Sequence, residues 1–351
     1  MTFIPKPKLH HPDLQKNALG YTRRDYEGPV STLCAGCGHD SISAAIVKAC
    51  FELDIEPHRV AKMSGIGCSS KTPTYFLGAS HGFNSVHGRM PSVATGANLA
   101  NKDLIYLGVS GDGDSASIGI GQFAHAMRRG VNMVYIVENN GVYGLTKGQF
   151  SATSDKGAKS KRGVVNSDEA IDLVGLALQL GATFVARSFS GDKTQLVPLI
   201  EAALQHKGIA FIDCISPCVA FNNHEGSTKS FDYVREHNEA LNSLDVISGR
   251  EEITVDYEPG TMEMVTQHDG SVLALRKLHT SYDVNDRVAA LSYMQERAAA
   301  GEIVTGLLYV DPNPRDLHAH LDTVETPLNA LNDDALVPGA RALERINAGL
   351  R

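Results

Sequence analysis

Short apolar runs alternate with segments of helical hydrophobic periodicity over residues 40–215. The segments between the runs place apolar residues three or four positions apart, as the inner face of a helix does. This alternation predicts an α/β fold, with a mostly parallel sheet and helices on both of its faces. Five runs have the length of buried strands: 59–63, 104–109, 131–137, 183–187 and 209–215.

The two ends of the chain differ from this pattern. Residues 1–30 are polar and proline-rich, which predicts an N-terminal arm without a core of its own. Residues 31–225 would then form the main domain, and residues 226–351 a C-terminal extension that packs on this domain or on a partner subunit. Further elements are predicted as helices at 168–180, 225–245 and 285–300 and as strands at 252–256, 262–266 and 303–310.

Composition narrows the class of protein. The chain has 351 residues, 42% hydrophobic and 21% charged, with a formal net charge of −8. This balance predicts a folded protein whose main partner is neither nucleic acid nor a membrane surface. The N-terminus lacks the apolar core of a secretory signal, and no apolar run is long enough to cross a bilayer. We therefore expect a cytoplasmic protein whose six cysteines are core residues or metal ligands.

Polar, glycine-rich turns follow two of the predicted strands. Gly111-Asp112-Gly113-Asp114 comes after one run, and Glu138-Asn139-Asn140-Gly141-Val142 comes after the next. Ligands bind at the carboxyl ends of parallel strands, and glycines let the backbone approach a phosphate closely. The Asp112 carboxylate, the Asn140 amide and a carbonyl near Val142 would be hard oxygen donors of the kind that Mg²⁺ prefers. The pattern predicts a magnesium–diphosphate site rather than two unrelated turns.

Four of the six cysteines lie in predicted turns. Cys34-x-x-Cys37 is compatible with a redox dithiol, half of a zinc site or half of an iron–sulfur site, and the motif alone does not distinguish them. Cys68 and Cys218 also lie in turns, whereas Cys50 and Cys214 lie within elements and are interpreted as packing residues. Four thiolates contributed by loops fit either tetrahedral zinc or a 4Fe–4S cluster.

Taken together, these motifs resemble the beta subunit of the 2-oxoacid:ferredoxin oxidoreductases. Gly-Asp-Gly-Asp followed by Glu-Asn-Asn-Gly-Val-Tyr-Gly-Leu-Thr-Lys-Gly-Gln is similar to the thiamine diphosphate signature of that family. The family's proximal 4Fe–4S cluster is held by Cys-x-x-Cys-Gly-His, Gly-Ile-Gly-Cys-Ser and Ser-Pro-Cys, and all three motifs occur in this chain. The resemblance covers about residues 30–235.

The resemblance implies a role for individual residues. Asp112, Asn140 and the carbonyl of Val142 would bind Mg²⁺. The cluster ligands would be Cys34, Cys37, Cys68 and Cys218. Thiamine diphosphate would be lined by Ile66, Gly67, Cys68, Ser69, Gly113, Asp114, Gly144 and Leu145. Lys147 matches a lysine associated with CoA, and His87 and Arg89 match a loop beside the cofactor.

The resemblance also implies an activity. The expected reaction is oxidative decarboxylation of a 2-oxoacid with CoA, its electrons passing through the cluster to ferredoxin. The basic loop at 146–166 favours 2-oxoglutarate over pyruvate, giving succinyl-CoA, or the reverse reaction as a 2-oxoglutarate synthase. No motif supplies the glutamate that thiamine enzymes place against the aminopyrimidine ring. In the family this residue comes from an alpha subunit, so we expect an α2β2 assembly that is inactive without that subunit. The alternatives are the beta subunit of a pyruvate:ferredoxin oxidoreductase, a thiamine decarboxylase without redox chemistry and a structural zinc protein.

Overall fold

The computed structural model describes residues 12–160, 163–221, 252–337 and 339–350. The predicted helix at 225–245 and the loop cations Lys161 and Arg162 lie outside these ranges.

Nine strands of the described residues form one sheet, in the order β2-β1-β3-β4-β8-β7-β11-β10-β9. A separate two-stranded hairpin is formed by β5 and β6. The strands are β1 (Val60–Ser64), β2 (His81–Asn84), β3 (Ile105–Gly111), β4 (Met133–Asn139), β5 (Val142–Tyr143), β6 (Gln149–Phe150), β7 (Phe184–Phe189), β8 (Ile209–Ile215), β9 (Met262–Thr266), β10 (Val272–Lys277) and β11 (Glu302–Val310).

The first six strands of that order, β2 to β7, are all parallel to one another. Strand β11 then pairs antiparallel with β7, and β10 runs parallel to β11. The edge strand β9 closes the sheet in an antiparallel pair with β10. Strands from the end of the chain thus extend the parallel sheet, and the mostly parallel sheet predicted from the sequence is confirmed.

Helices cover both faces of the sheet. The α-helices are α1 (Gly38–Glu52), α2 (Met90–Ala100), α3 (Ile120–Arg129), α4 (Leu173–Gln179), α5 (Lys193–Gln205), α6 (Arg287–Ala299), α7 (Leu317–Leu321), α8 (Asp333–Leu336) and α9 (Gly339–Gly349). Helices α1 and α5 pack with Val134 and Ile136 of β4. The alternate residues Met133, Tyr135 and Val137 face the layer formed by α2, α3, α4 and α6. This two-sided burial confirms the predicted α/β class.

Two predicted elements differ from the observed ones. Helix α4 begins at Leu173 rather than at residue 168, because the Asp172 side chain accepts a hydrogen bond from Val174 N and caps the helix there. The segment 252–256 does not form a strand. It crosses the turn after β7 instead, where Val255 N donates to Gly191 O over 3.3 Å.

No helix in the described ranges combines the length and the apolar character needed to cross a bilayer.

Gly130 ends helix α3 in the left-handed region, with φ +64°. A Cβ atom at this position would lie 2.9 Å from the carbonyl oxygen of Arg315. We expect Gly130→Ala to lower the free energy of unfolding by about 1–3 kcal/mol, because an L-residue is strained at this φ. The measurement is chemical denaturation. Gly96→Ala is the matched control, since a Cβ atom added at Gly96, within α2, would have no neighbour within 4 Å. It should raise stability by about 0.5–1 kcal/mol, and a loss of similar size in both variants would contradict the explanation.

Candidate functional site

The site lies where four neighbouring parallel strands end. Strands β1, β3, β4 and β8 pair in parallel, so their carboxyl ends share one edge of the sheet. The polar turns that follow β1, β3 and β4 converge on a pocket at this edge. This is the position at which open parallel sheets bind ligands.

Most of the predicted cofactor and magnesium residues line this pocket. They are Ile66, Gly67, Cys68, Ser69, His87, Asp112, Gly113, Asp114, Asn140, Val142, Gly144 and Leu145. Lys147 and Arg89 do not line it: both are exposed, and Arg89 Nη1 donates to Gln122 Oε1 over 2.9 Å. Cys34, Cys37 and Cys218 also lie outside the lining, although Cys218 approaches it at Gly144.

Four further residues that line the pocket were not expected from the sequence, namely His39, Gly111, Tyr143 and Thr146. Their positions next to the sequence motifs could have identified them. His39 lies two residues after Cys37, Gly111 belongs to the first glycine-rich turn, and Tyr143 and Thr146 follow the second.

The Asp112 carboxylate is buried at the floor of the site, with 1% of the residue exposed. Burial raises the pKa of Asp112, while hydrogen bonds from Ser151, Thr153 and the Asn140 backbone act in the opposite direction. Thr153 Oγ1 lies 2.8 Å from Asp112 Oδ2, and Asn140 N donates to Asp112 Oδ1 over 3.3 Å. A buried carboxylate of this kind is stabilised further by a bound cation.

His39 and Val142 orient the Asn140 side chain. Burial lowers the pKa of His39 to about 4, so its imidazole is neutral. Asn140 Nδ2 lies 3.4 Å from His39 Nε2, and Ser216 Oγ lies 2.6 Å from His39 Nδ1. An unprotonated Nε2 can accept from the amide, which assigns the imidazole proton to Nδ1. The Asn140 oxygen accordingly points the other way and accepts from Val142 N over 3.0 Å.

Asp114 holds the surrounding loops together. Its carboxylate accepts hydrogen bonds from Ser110 Oγ over 2.6 Å, from Gly88 N over 2.8 Å and from Ile66 N over 3.3 Å. His87 Nδ1 contacts the same carboxylate. The loops after β1 and β2 are therefore tied to the turn after β3 through one buried side chain, which is 3% exposed.

The four turn cysteines include two neighbouring pairs, Cys37 with Cys218 and Cys34 with Cys68. Burial raises the pKa of Cys37, and the charge of Cys218 adds to this effect. Burial also raises the pKa of Cys68, and the charge of Cys34 contributes in the same direction. Gly144 lies between the two pairs, since a Cβ there would be 3.5 Å from Cys68 Sγ and 3.6 Å from Cys218 Sγ.

All six cysteines are free thiols, and their surroundings differ. Cys50 and Cys214 are fully buried and pack in the apolar layer beneath α1 and α5, as predicted for packing residues. Cys34, Cys68 and Cys218 are partly exposed. Half-buried thiols from separate loops are available to a metal centre in a way that the two core thiols are not.

No group of three or more His, Cys, Asp or Glu side chains in the described ranges could hold a metal ion as it stands. The magnesium candidates fall outside such a group, because they are one carboxylate, one amide and one backbone carbonyl. A 4Fe–4S cluster binds each thiolate to a different iron, so its ligands lie further apart than the four ligands of one tetrahedral ion. The donor types at both places therefore fit the groups that the sequence predicts.

Comparison with known proteins agrees with this geometry. Residues 65–214 match the family model described as thiamine pyrophosphate enzyme, C-terminal TPP binding domain. The chain is 36% identical over 239 residues to the 2-oxoglutarate synthase subunit KorB of Methanocaldococcus jannaschii, a match that covers 67% of this chain and 87% of that protein. It is 44% identical over 191 residues to the 2-oxoacid:ferredoxin oxidoreductase subunit beta of a Sulfolobus species, covering 54% of this chain and 63% of that relative.

A solved structure is similar over nearly the whole chain. It is the 2-oxoglutarate:ferredoxin oxidoreductase from Magnetococcus marinus with 2-oxoglutarate, coenzyme A and succinyl-CoA bound. The TM-score is 0.70 at 28% sequence identity, and the match covers 93% of this chain and 98% of that one.

The fold and the family model together define a thiamine diphosphate-binding domain of the α/β class. More specifically, the chain belongs to the beta-subunit family of the 2-oxoacid:ferredoxin oxidoreductases. The chain covers less than two thirds of the length of the Sulfolobus relative.

Proposed function

We propose that this chain is the thiamine diphosphate- and cluster-binding subunit of a CoA-dependent 2-oxoacid:ferredoxin oxidoreductase that acts on 2-oxoglutarate. The observation that carries the proposal is the position of Cys68. This cysteine lines the pocket of Asp112 and Asn140, and its sulfur also approaches Gly144 together with that of Cys218. A cofactor in the pocket and a cluster on the thiols would therefore be close neighbours, as electron transfer between them requires.

Three groups of this chain would hold Mg²⁺ and, through it, the cofactor diphosphate. They are the Asp112 carboxylate, the Asn140 amide oxygen and the Val142 carbonyl, all from residues that line the pocket. Gly113 would let the backbone approach the diphosphate, and a Cβ there would collide with the Tyr143 ring at 2.5 Å. When bound, thiamine diphosphate supplies an electron sink for decarboxylation, and the cluster accepts electrons one at a time.

The four turn cysteines would hold one 4Fe–4S cluster. In the described ranges no three of these side chains are placed around a single ion. This supports the cluster over zinc, because zinc would need all four sulfurs about 3.8 Å apart at its usual bond length of about 2.3 Å. Burial disfavours the thiolates of Cys37 and Cys68 in the metal-free chain. A bound metal centre offsets that cost, because cysteine binds metals in its deprotonated form.

An alpha subunit would complete the site. The carboxylates that line the pocket in the described part of the chain are Asp112 and Asp114, and both accept hydrogen bonds from this chain. This supports a partner as the source of the carboxylate that the aminopyrimidine ring needs. Apolar side chains also remain exposed near the pocket, with Ile66 at 38%, Leu145 at 53% and Val86 at 71%. Such a rim is suited to being covered by another protein surface.

The loop after the pocket would contact the anionic substrates. Lys147 is exposed and has φ +77°, a strained conformation that is concentrated at functional sites. This supports its predicted contact with CoA. Lys156 pairs with Glu169, so its charge is already neutralised. The distal carboxylate of 2-oxoglutarate would then be held with help from Lys161 or Arg162, which lie outside the described residues.

The cluster ligands can be tested by substitution. Replacing Cys34, Cys37, Cys68 or Cys218 by Ala should abolish the broad visible absorption of thiolate-bound iron, because each removes one ligand. Cys50→Ala and Cys214→Ala are the matched controls and should retain it. Iron, sulfide and zinc are measured in protein purified without oxygen together with its partner subunit. Stoichiometric zinc without iron would refute the cluster.

A separate prediction concerns the metal site. Asp112→Ala removes the charged oxygen ligand, which leaves a bound diphosphate poorly neutralised. Thiamine diphosphate affinity, measured by calorimetry on the assembled enzyme with Mg²⁺, should fall by about 100-fold or more. Iron content serves as the internal control and should be unchanged. Retained affinity would exclude Asp112 as the magnesium ligand.

The reaction itself is tested with the two-subunit enzyme, by following viologen reduction with CoA and each of three acids. We expect kcat/KM to be higher for 2-oxoglutarate than for either 2-oxobutyrate or pyruvate. Only 2-oxoglutarate has a distal carboxylate to pair with a loop cation. Replacing Lys161 or Arg162 by Gln should raise KM for 2-oxoglutarate by about tenfold, the loss expected for one charged hydrogen bond. KM for 2-oxobutyrate should not change.

Lys156→Gln is the control for that experiment, since Glu169 already neutralises this lysine. If the Lys161 or Arg162 substitution changed KM equally for 2-oxoglutarate and 2-oxobutyrate, the loop would not contact the distal carboxylate. A preference for pyruvate would reject 2-oxoglutarate as the substrate and leave the reaction class intact. Decarboxylation without viologen reduction would instead identify a non-redox thiamine enzyme.

A further inference from the structure

A buried arginine lies behind the pocket and has no role in the proposed reaction. Arg187 on β7 lies beside Asp213 on β8, and Arg187 Nε donates to Asp213 Oδ2 over 3.0 Å. The two side chains are 12% and 3% exposed. Asp172, the cap of α4, contacts Nη2 of the same guanidinium. Two carboxylates thus fix the arginine, and the second oxygen of Asp213 stays available to another donor.

That donor is Asn139, the first asparagine of the Asn139-Asn140 pair, which has no role in binding magnesium. Asn139 Nδ2 donates to Asp213 Oδ1 over 3.0 Å. Because the amide nitrogen is directed at a carboxylate, the amide oxygen must point the opposite way. It accepts from Gly141 N over 3.3 Å and lies 3.0 Å from Thr153 Oγ1.

Thr153 connects this network to the pocket. Its hydroxyl oxygen lies 2.8 Å from Asp112 Oδ2 and 3.0 Å from Ser151 Oγ. A hydroxyl has one proton to donate, and a charged carboxylate is a stronger acceptor than an amide oxygen that already receives Gly141 N–H. The Thr153 proton therefore goes to Asp112. The Asn139 amide oxygen lies beside the hydroxyl as a competing acceptor, and Ser151 Oγ is able to donate to the hydroxyl oxygen.

We propose that Thr153 is a positioning residue for the magnesium ligand Asp112, next to an Asn139 amide that Asp213 and Arg187 fix in orientation. The inference rests on the proposed function, because it takes Asp112 to be that ligand. The hydrogen bond to Oδ2 fixes the plane of the Asp112 carboxylate. The carboxylate is therefore already oriented when the cation binds. Outer partners of this kind orient metal ligands and tune affinity for the metal.

The test compares Thr153→Val, which keeps the shape but removes the hydroxyl, with Thr153→Ser, which keeps the hydroxyl. Affinity for thiamine diphosphate with Mg²⁺ is measured by calorimetry on the enzyme assembled with its partner subunit. We expect Thr153→Val to bind the cofactor about 10- to 100-fold more weakly, the range for losing a hydrogen bond to a charged group. Thr153→Ser should stay within about threefold of wild type.

Thr183→Val is the matched control. Thr183 is buried and hydrogen-bonded to His206 and Ile209, but it lies directly before β7, at the opposite edge of the sheet from the pocket. Its loss should lower the melting temperature and leave cofactor affinity unchanged. Melting curves of the cofactor-free complexes then separate a general loss of stability from a loss at Asp112.

A second variant covers the case in which Thr153→Val does not fold. Asn139→Asp removes the donor to Asp213 and offers the Thr153 proton a carboxylate that competes with Asp112. It should also weaken cofactor binding by about tenfold or more. Where both variants fold, their combination should weaken binding by less than the product of the single effects, because both act through one hydrogen bond.

Unchanged cofactor affinity in Thr153→Val would overturn this inference, and so would an equal loss of affinity in Thr153→Ser. Neither result affects the proposed function as long as the wild-type enzyme binds thiamine diphosphate with Mg²⁺. Wild-type enzyme that binds no thiamine diphosphate with Mg²⁺ would overturn the proposed function, and this inference with it.

Discussion

The parallel pairing of β1, β3, β4 and β8 is the constraint on which the rest of the structure depends. Parallel strands that share one direction must all end at the same edge, and each then needs a turn whose backbone groups are not paired in the sheet. Those turns carry the glycines, carboxylates and thiols of the site. The pocket is therefore a consequence of strand direction, and apolar layers on both faces keep the strands in place.

Two buried aspartates at this edge, Asp112 and Asp114, have different contacts. Asp114 accepts hydrogen bonds from Ser110 and from the Ile66 and Gly88 backbone, which makes it the tie between three loops. Asp112 lies at the floor of the pocket, where Thr153 and the Asn140 backbone contact it, and burial raises its pKa. Asp112 therefore faces the pocket, whereas Asp114 stabilises the loops around it.

The same edge brings the cofactor pocket and two of the turn cysteines together. Cys68 follows β1 and Cys218 follows β8, and Gly144 brings the turn after β4 against both sulfurs. A Cβ atom at Gly144 would be in van der Waals contact with both sulfurs. Ile66, Leu145 and Val86 leave an exposed apolar rim beside the pocket.

The sequence by itself determined the α/β class, the two turns of the cofactor site and the separation of turn cysteines from core cysteines. These features are local: apolar runs, glycine-rich turns and short motifs are set by neighbouring residues. Only the tertiary structure decided that β11 joins the sheet antiparallel beside β7 and that His39 orients Asn140. It alone connected Thr153 to Asp112, because hydrogen bonds between residues far apart in the chain follow from strand order, which no local pattern encodes.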